Sequence, residues 1–159
     1  MKQIIFLHLL WVSTNIVIGQ VDTVEVYSEV MAQTIPSLVI TPKDYTDEDD
    51  ELPVIYLLHG AGGYFSNWFF RVPEIEQYAT DYNIIIVCPD GNKTSWYIDS
   101  PIDSTSQYES YITRELVPAI DQKYRTIKQK RGRAITGLSM GGHGAFYLAF
   151  RNQDIWGAA

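Results

Sequence analysis

The chain has 159 residues, of which 19 are acidic and 12 basic for a formal net charge of -7, and 46% are hydrophobic. Length and hydrophobic content suffice for one packed domain, while the acidic balance without a basic patch argues against nucleic acid or an anionic membrane as partner. A single cysteine, Cys88, excludes a disulfide framework.

Residues 1–19 read as a secretory leader, with Lys2 as the positive start, Ile4 to Val12 as the apolar core and Val17-Ile18-Gly19 as the small-residue exit. The apolar stretch falls short of the ~20 residues of a membrane span. Cleavage after Gly19, a secreted or periplasmic product and no later membrane contact are therefore expected, with residues 20–159 as the domain. Val21 to Met31 alternates in part and Ser37 to Ile40 is bracketed by Pro36 and Pro42, which predicts two antiparallel strands at a sheet edge. The acidic stretch Lys43 to Glu51 reads as a solvated loop, since it lacks the glycine and alternating ligands of a calcium site.

Val54 to Leu58 is a continuous apolar run of the kind found in a strand covered on both faces. It leads into His59-Gly60-Ala61-Gly62-Gly63 and an aromatic cluster, Tyr64, Phe65, Trp68, Phe69 and Phe70. A helix is expected over Val72 to Tyr82. A strand follows over Ile84 to Cys88, with Cys88 as a small buried hydrophobe. Tyr108, Tyr111, Ile112, Leu116 and Ile120 recur at helical spacing within Gln107 to Tyr124. Arg133 to Thr136 predicts a strand, Gly142 to Arg151 a helix, and Trp156 to Ala159 the entry to a further strand. Strands alternating with helices give an α/β fold with parallel central strands, whose carboxyl ends are where such sheets place ligands.

Those ends carry the chemistry. Gly137-Leu138-Ser139-Met140-Gly141 is a G-x-S-x-G run between a strand and a helix, the setting of a nucleophile elbow. It lifts the Ser139 hydroxyl above the sheet and turns the Met140 N–H toward a developing oxyanion. The glycine run after β-like Val54 to Leu58 offers the Ala61 N–H as a second donor. A plain turn or a phosphate cradle is the other reading of that run, the cradle weakened by the missing Lys-Ser/Thr ending.

Leu57-Leu58-His59-Gly60, Pro89-Asp90-Gly91, Ser95-Trp96-Tyr97 and Gly137 to Ala145 together resemble the esterase D family, in order and spacing, from about Gln33 to Ala159. That family holds short-chain carboxylesterases, S-formylglutathione hydrolases and the acetyl-xylan and feruloyl esterases, with secreted mycolyltransferases as relatives. The resemblance implies an α/β-hydrolase three-layer sandwich with a mostly parallel central sheet and antiparallel N-terminal edge strands. It implies Ser139 as nucleophile, the Ala61 and Met140 amides as oxyanion hole, Trp96 and Tyr97 as candidates for the substrate pocket, and no metal or cofactor.

The family's acid and histidine follow the serine, and nothing in this chain matches them. His143 stands four residues after Ser139 and reads as a packed helix residue, His59 as a brace for the oxyanion loop, and His8 as part of the leader. Asp154 reads as surface, whereas Asp90, Asp99 and Asp103 precede the serine and suit pocket shaping. Asn92-Lys93-Thr94 is a glycosylation sequon by pattern. The expectation is a C-terminally truncated hydrolase domain with an exposed apolar edge, inactive and poorly folded by itself. The activity expected of its type is exported serine ester hydrolysis through an acyl-enzyme, on short-chain acyl esters or acylated plant polysaccharide. A non-catalytic carbohydrate-binding or scaffold relative that keeps the elbow is the alternative.

Overall fold

The computed structural model describes residues 21–46 and 50–159. The leader-like residues 1–19, His8 among them, and residues 47–49 of the acidic loop lie outside the described residues. Five strands form one mixed sheet in the order β1-β2-β4-β3-β5. β1 (Val21–Ser28) pairs antiparallel with β2 (Gln33–Ile40), and β2 antiparallel with β4 (Ile85–Pro89). β3 (Val54–Leu58) runs parallel to β4 on one side and to β5 (Arg133–Gly137) on the other. Parallel strands thus occupy one half of the sheet and bring their carboxyl ends to a common edge.

β2 starts at Gln33 rather than after Pro36, which corrects the expected boundary. Pro36 pairs with Glu25 of β1, but β4 joins β2 only from Ser37 onward. On that side the Pro36 carbonyl accepts from the Asp90 N–H at 3.0 Å, and the ladder ends at the residue that has no N–H to return, a position where a proline is tolerated.

Alternation along β4 sorts the core into layers. Ile85 and Val87 face a large cluster built by the helices Tyr108–Lys123 and Met140–Arg151; Ile86 and Cys88 face a smaller one with Ile75, Ala79, Trp68 and Phe69. The smaller layer belongs to α1 (Asn67–Arg71) and α2 (Ile75–Asp81). It leaves Ile55 and Leu57 of β3 half-buried, so that strand is fully covered on one face only. α1 lies where the aromatic cluster reads as loop.

On the opposite face α3 (Tyr108–Ser110) continues through a π-helical turn (Tyr111–Leu116) into α4 (Val117–Lys123). The widened turn lies directly ahead of Pro118, which has no N–H for the carbonyl four residues back. Arg133 at the start of β5 and Asp121 of α4 form an ion pair whose side chains are almost entirely buried. α5 (Met140–Arg151) is tied to α3 by Glu109, which accepts from Arg151 Nε at 2.9 Å, Asn152 Nδ2 at 3.1 Å and the Tyr147 hydroxyl at 3.2 Å.

After α5 the chain turns back to the outer edge of β5. Trp156 packs edge-on against Tyr56 with ring centroids 5.1 Å apart, the Gly157 N–H donates to Arg133 O at 2.9 Å and the Ile135 N–H to Ala158 O at 3.0 Å. Ala158 pairs in parallel with Ala134, as the apolar tail predicts. Leu138, Phe146 and Phe150 remain exposed, the two phenylalanines stacked at 5.9 Å.

Candidate active site

Three loops meet at the carboxyl edge of β3, β4 and β5. The first half of the site follows from close approach of backbones. Gly141, in the first turn of α5, leaves no room for a side chain: a Cβ there would fall 2.7 Å from His59 O. α5 can therefore start against the end of β3, immediately after Ser139. Ser139 itself stands at the helix N-cap with φ 57° and ψ -116°, a strained region for a residue with a Cβ, and its hydroxyl caps no N–H. Strain held in place by packing at a serine on a strand-to-helix turn is the geometry of a nucleophile elbow. The Met140 N–H, in the first turn of the helix, is one of the amides a helix leaves without an intrahelical partner.

The loop after β3 supplies the second half. Gly62 N–H donates to Lys93 O at 2.8 Å and Gly63 N–H to Gly60 O at 3.0 Å, whereas the Ala61 N–H makes no hydrogen bond to another described residue. His59, 2% exposed, fixes the orientation of that amide. Its Nε2 accepts from the Gly91 N–H at 2.9 Å, so the proton sits on Nδ1, which donates to Gly60 O at 2.8 Å. Gly60 O thus holds two donors. Because the Gly60-Ala61 peptide is planar and trans, anchoring its carbonyl points the Ala61 N–H the opposite way. Ser139, the glycine turn, Asn67, Trp68, Arg71 and Leu138 line a cavity of about 210 Å³.

Residues 28–159 match the Esterase family model. The chain belongs to the Esterase family. An esterase of Mycobacterium tuberculosis is 36% identical over 124 residues, covering 76% of this chain and 27% of its own length. An acetyl esterase of Caldicellulosiruptor saccharolyticus is 29% identical over 127 residues, covering 75% of this chain and 46% of its own. Among solved structures, a ferulic acid esterase superposes with a TM-score of 0.78 at 29% identity, covering 89% of this chain and 59% of that one. A fluorophosphonate-binding serine hydrolase of Staphylococcus aureus shares the fold at 22% identity and a TM-score of 0.79, over 89% of this chain and 56% of that one. The chain spans less than two thirds of each of these relatives.

In this esterase-family chain the Ser95-Trp96-Tyr97 segment has a role different from the expected one. Tyr97 is fully buried and does not line the Ser139 cavity. Its ring fills a slot against Gly144 of α5, where a Cβ would fall 2.8 Å from Tyr97 Cβ, and its hydroxyl donates to His59 O at 3.2 Å. Burial pushes the phenol well above its ordinary value, so it remains a neutral donor. Trp96 and Tyr97 both have positive φ, 55° and 58°, and Trp96 lies half-exposed with its ring edge against His143 at 5.3 Å. It too stands outside the cavity lining. Tyr97 joins the β4 loop, the end of β3 at His59 and α5 into one unit.

His143 does not turn back to the serine. Its Nδ1 is 3.1 Å from Trp96 O, to which it donates, and its ring stacks on Tyr147 at 5.7 Å. The aspartates are likewise committed elsewhere. Asp90 accepts from the Asn92 and Phe65 N–H groups, Asp99 from the Ser110 N–H and hydroxyl, and Asp103 from Thr105. Asp154 is exposed, as expected. Among the described residues, neither an acid nor a second imidazole joins Ser139 in its cavity. Asn67 and Arg71 belong to the cavity although the sequence pattern does not single them out; the Ser66-Asn67 pair ahead of Trp68 is the one local sign of a helix start.

Proposed function

We propose that this chain carries the nucleophile half of a serine carboxylic-ester hydrolase: Ser139 attacks the ester carbonyl, and the Ala61 and Met140 amides hold the oxyanion. The observation that supports it most is the strained Ser139 on the rim of a cavity that also presents the uncommitted Ala61 N–H. Attack forms a bond from Oγ to the carbonyl carbon, the alkoxide leaves with a proton, and water later releases the acid from the acyl-enzyme. The two described histidines are held by Gly60, Gly91 and Trp96, so neither serves as the base here. The 159-residue chain is accordingly expected to acylate slowly and not to turn over.

Short acyl esters and acylated plant polysaccharides are the proposed substrates. The ferulic acid esterase and acetyl esterase among the similar proteins support that class. Export to a secreted or periplasmic location is proposed from the leader-like residues 1–19 and the acidic balance. The test is p-nitrophenol release from p-nitrophenyl acetate by the full chain. The expected result is a slow release that levels off at one equivalent per chain and is absent from Ser139→Ala. Repeated turnover with Ser139 intact overturns the half-site reading. Equal release by Ser139→Ala overturns the nucleophile and favours a non-catalytic relative.

A further inference from the structure

The Ser139 cavity holds one formally charged side chain, Arg71, and no acidic one. The net charge of the chain is -7, so a lone cation in the wall of this cavity stands against the overall balance. Among the described residues the Arg71 side chain forms no ion pair and no hydrogen bond. It does not serve the end of its own short helix either, because Trp68 O already accepts from the Val72 N–H at 2.9 Å.

Asn67 stands four residues earlier on α1, on the same helical face. Its Oδ1 accepts from the Tyr64 N–H at 2.6 Å, which leaves the amide NH2 as the group still able to bond. The wall between them is rigid, since Trp68 is pinned through its Nε1–H to Leu58 O at 3.0 Å. The α1 wall of the Ser139 cavity therefore offers a guanidinium and an amide donor with no acceptor of their own among the described residues. A planar fork of donors of this kind matches a carboxylate, which it binds through two parallel hydrogen bonds.

We propose that Arg71, with Asn67, makes this cavity selective for esters that carry a carboxylate, in the acyl part or in the alcohol part. The proposal rests on the reading of the cavity as an ester site. A half-ester of a dicarboxylic acid supplies the charge on the acyl side. An acylated hydroxy acid or sugar acid supplies it on the alcohol side. Either would set the carbonyl at Ser139 while its carboxylate meets the arginine.

The test is equilibrium binding to the full 159-residue chain, followed by the backbone amide shifts of residues 60–63 and 138–139. Three probes are compared: methyl hydrogen succinate, O-acetylglycolate and the uncharged dimethyl succinate. At least one anionic probe is expected to bind about fivefold tighter than the neutral one, the scale of a partly exposed charge pair. That ratio is expected to fall toward one in Arg71→Ala, to survive in part in Arg71→Lys, and to shrink as salt is raised. The stronger of the two anionic probes identifies the side of the ester that faces α1. Equal binding of charged and neutral probes, or a preference that persists in Arg71→Ala, overturns the role of Arg71 while leaving the ester site intact. No response of these amides to any probe overturns both.

Discussion

The strain at Ser139 has a measurable size. At φ 57° and ψ -116° a residue with a Cβ is held outside its favoured regions, at a cost of about 1–3 kcal/mol. Alanine keeps the Cβ and hence the strain; glycine relieves it. Against that gain stands the greater freedom of glycine in the unfolded chain, about 0.5–1 kcal/mol. The hydroxyl makes no capping hydrogen bond, so its removal costs both variants equally. Ser139→Gly is therefore expected to be about 1 kcal/mol more stable than Ser139→Ala. Urea unfolding of the two variants side by side measures this; with a slope of about 2 kcal/mol per molar, the midpoints differ by roughly 0.5 M. Equal midpoints, or a lower one for Ser139→Gly, would show that the elbow stores no strain.

Other outcomes follow from the packing around it. His59→Phe keeps an aromatic ring but leaves the Gly91 N–H without its acceptor and removes one of the two donors that hold Gly60 O, so p-nitrophenyl acetate should acylate Ser139 ~100-fold more slowly, the cost of losing one oxyanion donor; an unchanged rate would sever His59 from the Ala61 amide. Gly144→Ala puts a methyl group into the Tyr97 ring and should lower stability by about 1–3 kcal/mol in thermal or urea melts. The Cys88 thiol, pushed up to about 12 by burial, should resist a thiol-reactive disulfide at pH 8 until the chain unfolds. The raised value also means that the protonated thiol favours the fold below the ordinary thiol range, near 8.5, and that this contribution fades as pH climbs toward about 12.

What the sequence discloses is what depends on neighbours along the chain. The elbow is legible because two glycines and a serine at fixed spacing, between an apolar strand and a helix, have one common use. The strands over Val54 to Leu58 and Ile84 to Cys88 are legible because burial demands apolar side chains at successive positions. α1 is not, since Asn67–Arg71 is too short to display a helical period. Tyr97 misleads for a different reason. Trp96 and Tyr97 both take left-handed backbone, and only the packed structure tells that Trp96 stays half-exposed while Tyr97 turns inward onto Gly144. Arg71 is invisible to pattern altogether, because what distinguishes it is its place in the wall of the Ser139 cavity, which only the packed structure shows.

The most direct test of the central claim is the site of covalent modification. The intact chain is treated with an alkyl fluorophosphonate, digested, and its peptides are weighed by mass spectrometry. One adduct is expected, on Ser139 within the peptide that spans β5 and α5, and none is expected in Ser139→Ala. Modification spread over other serines, or an adduct that persists in Ser139→Ala, would contradict the account.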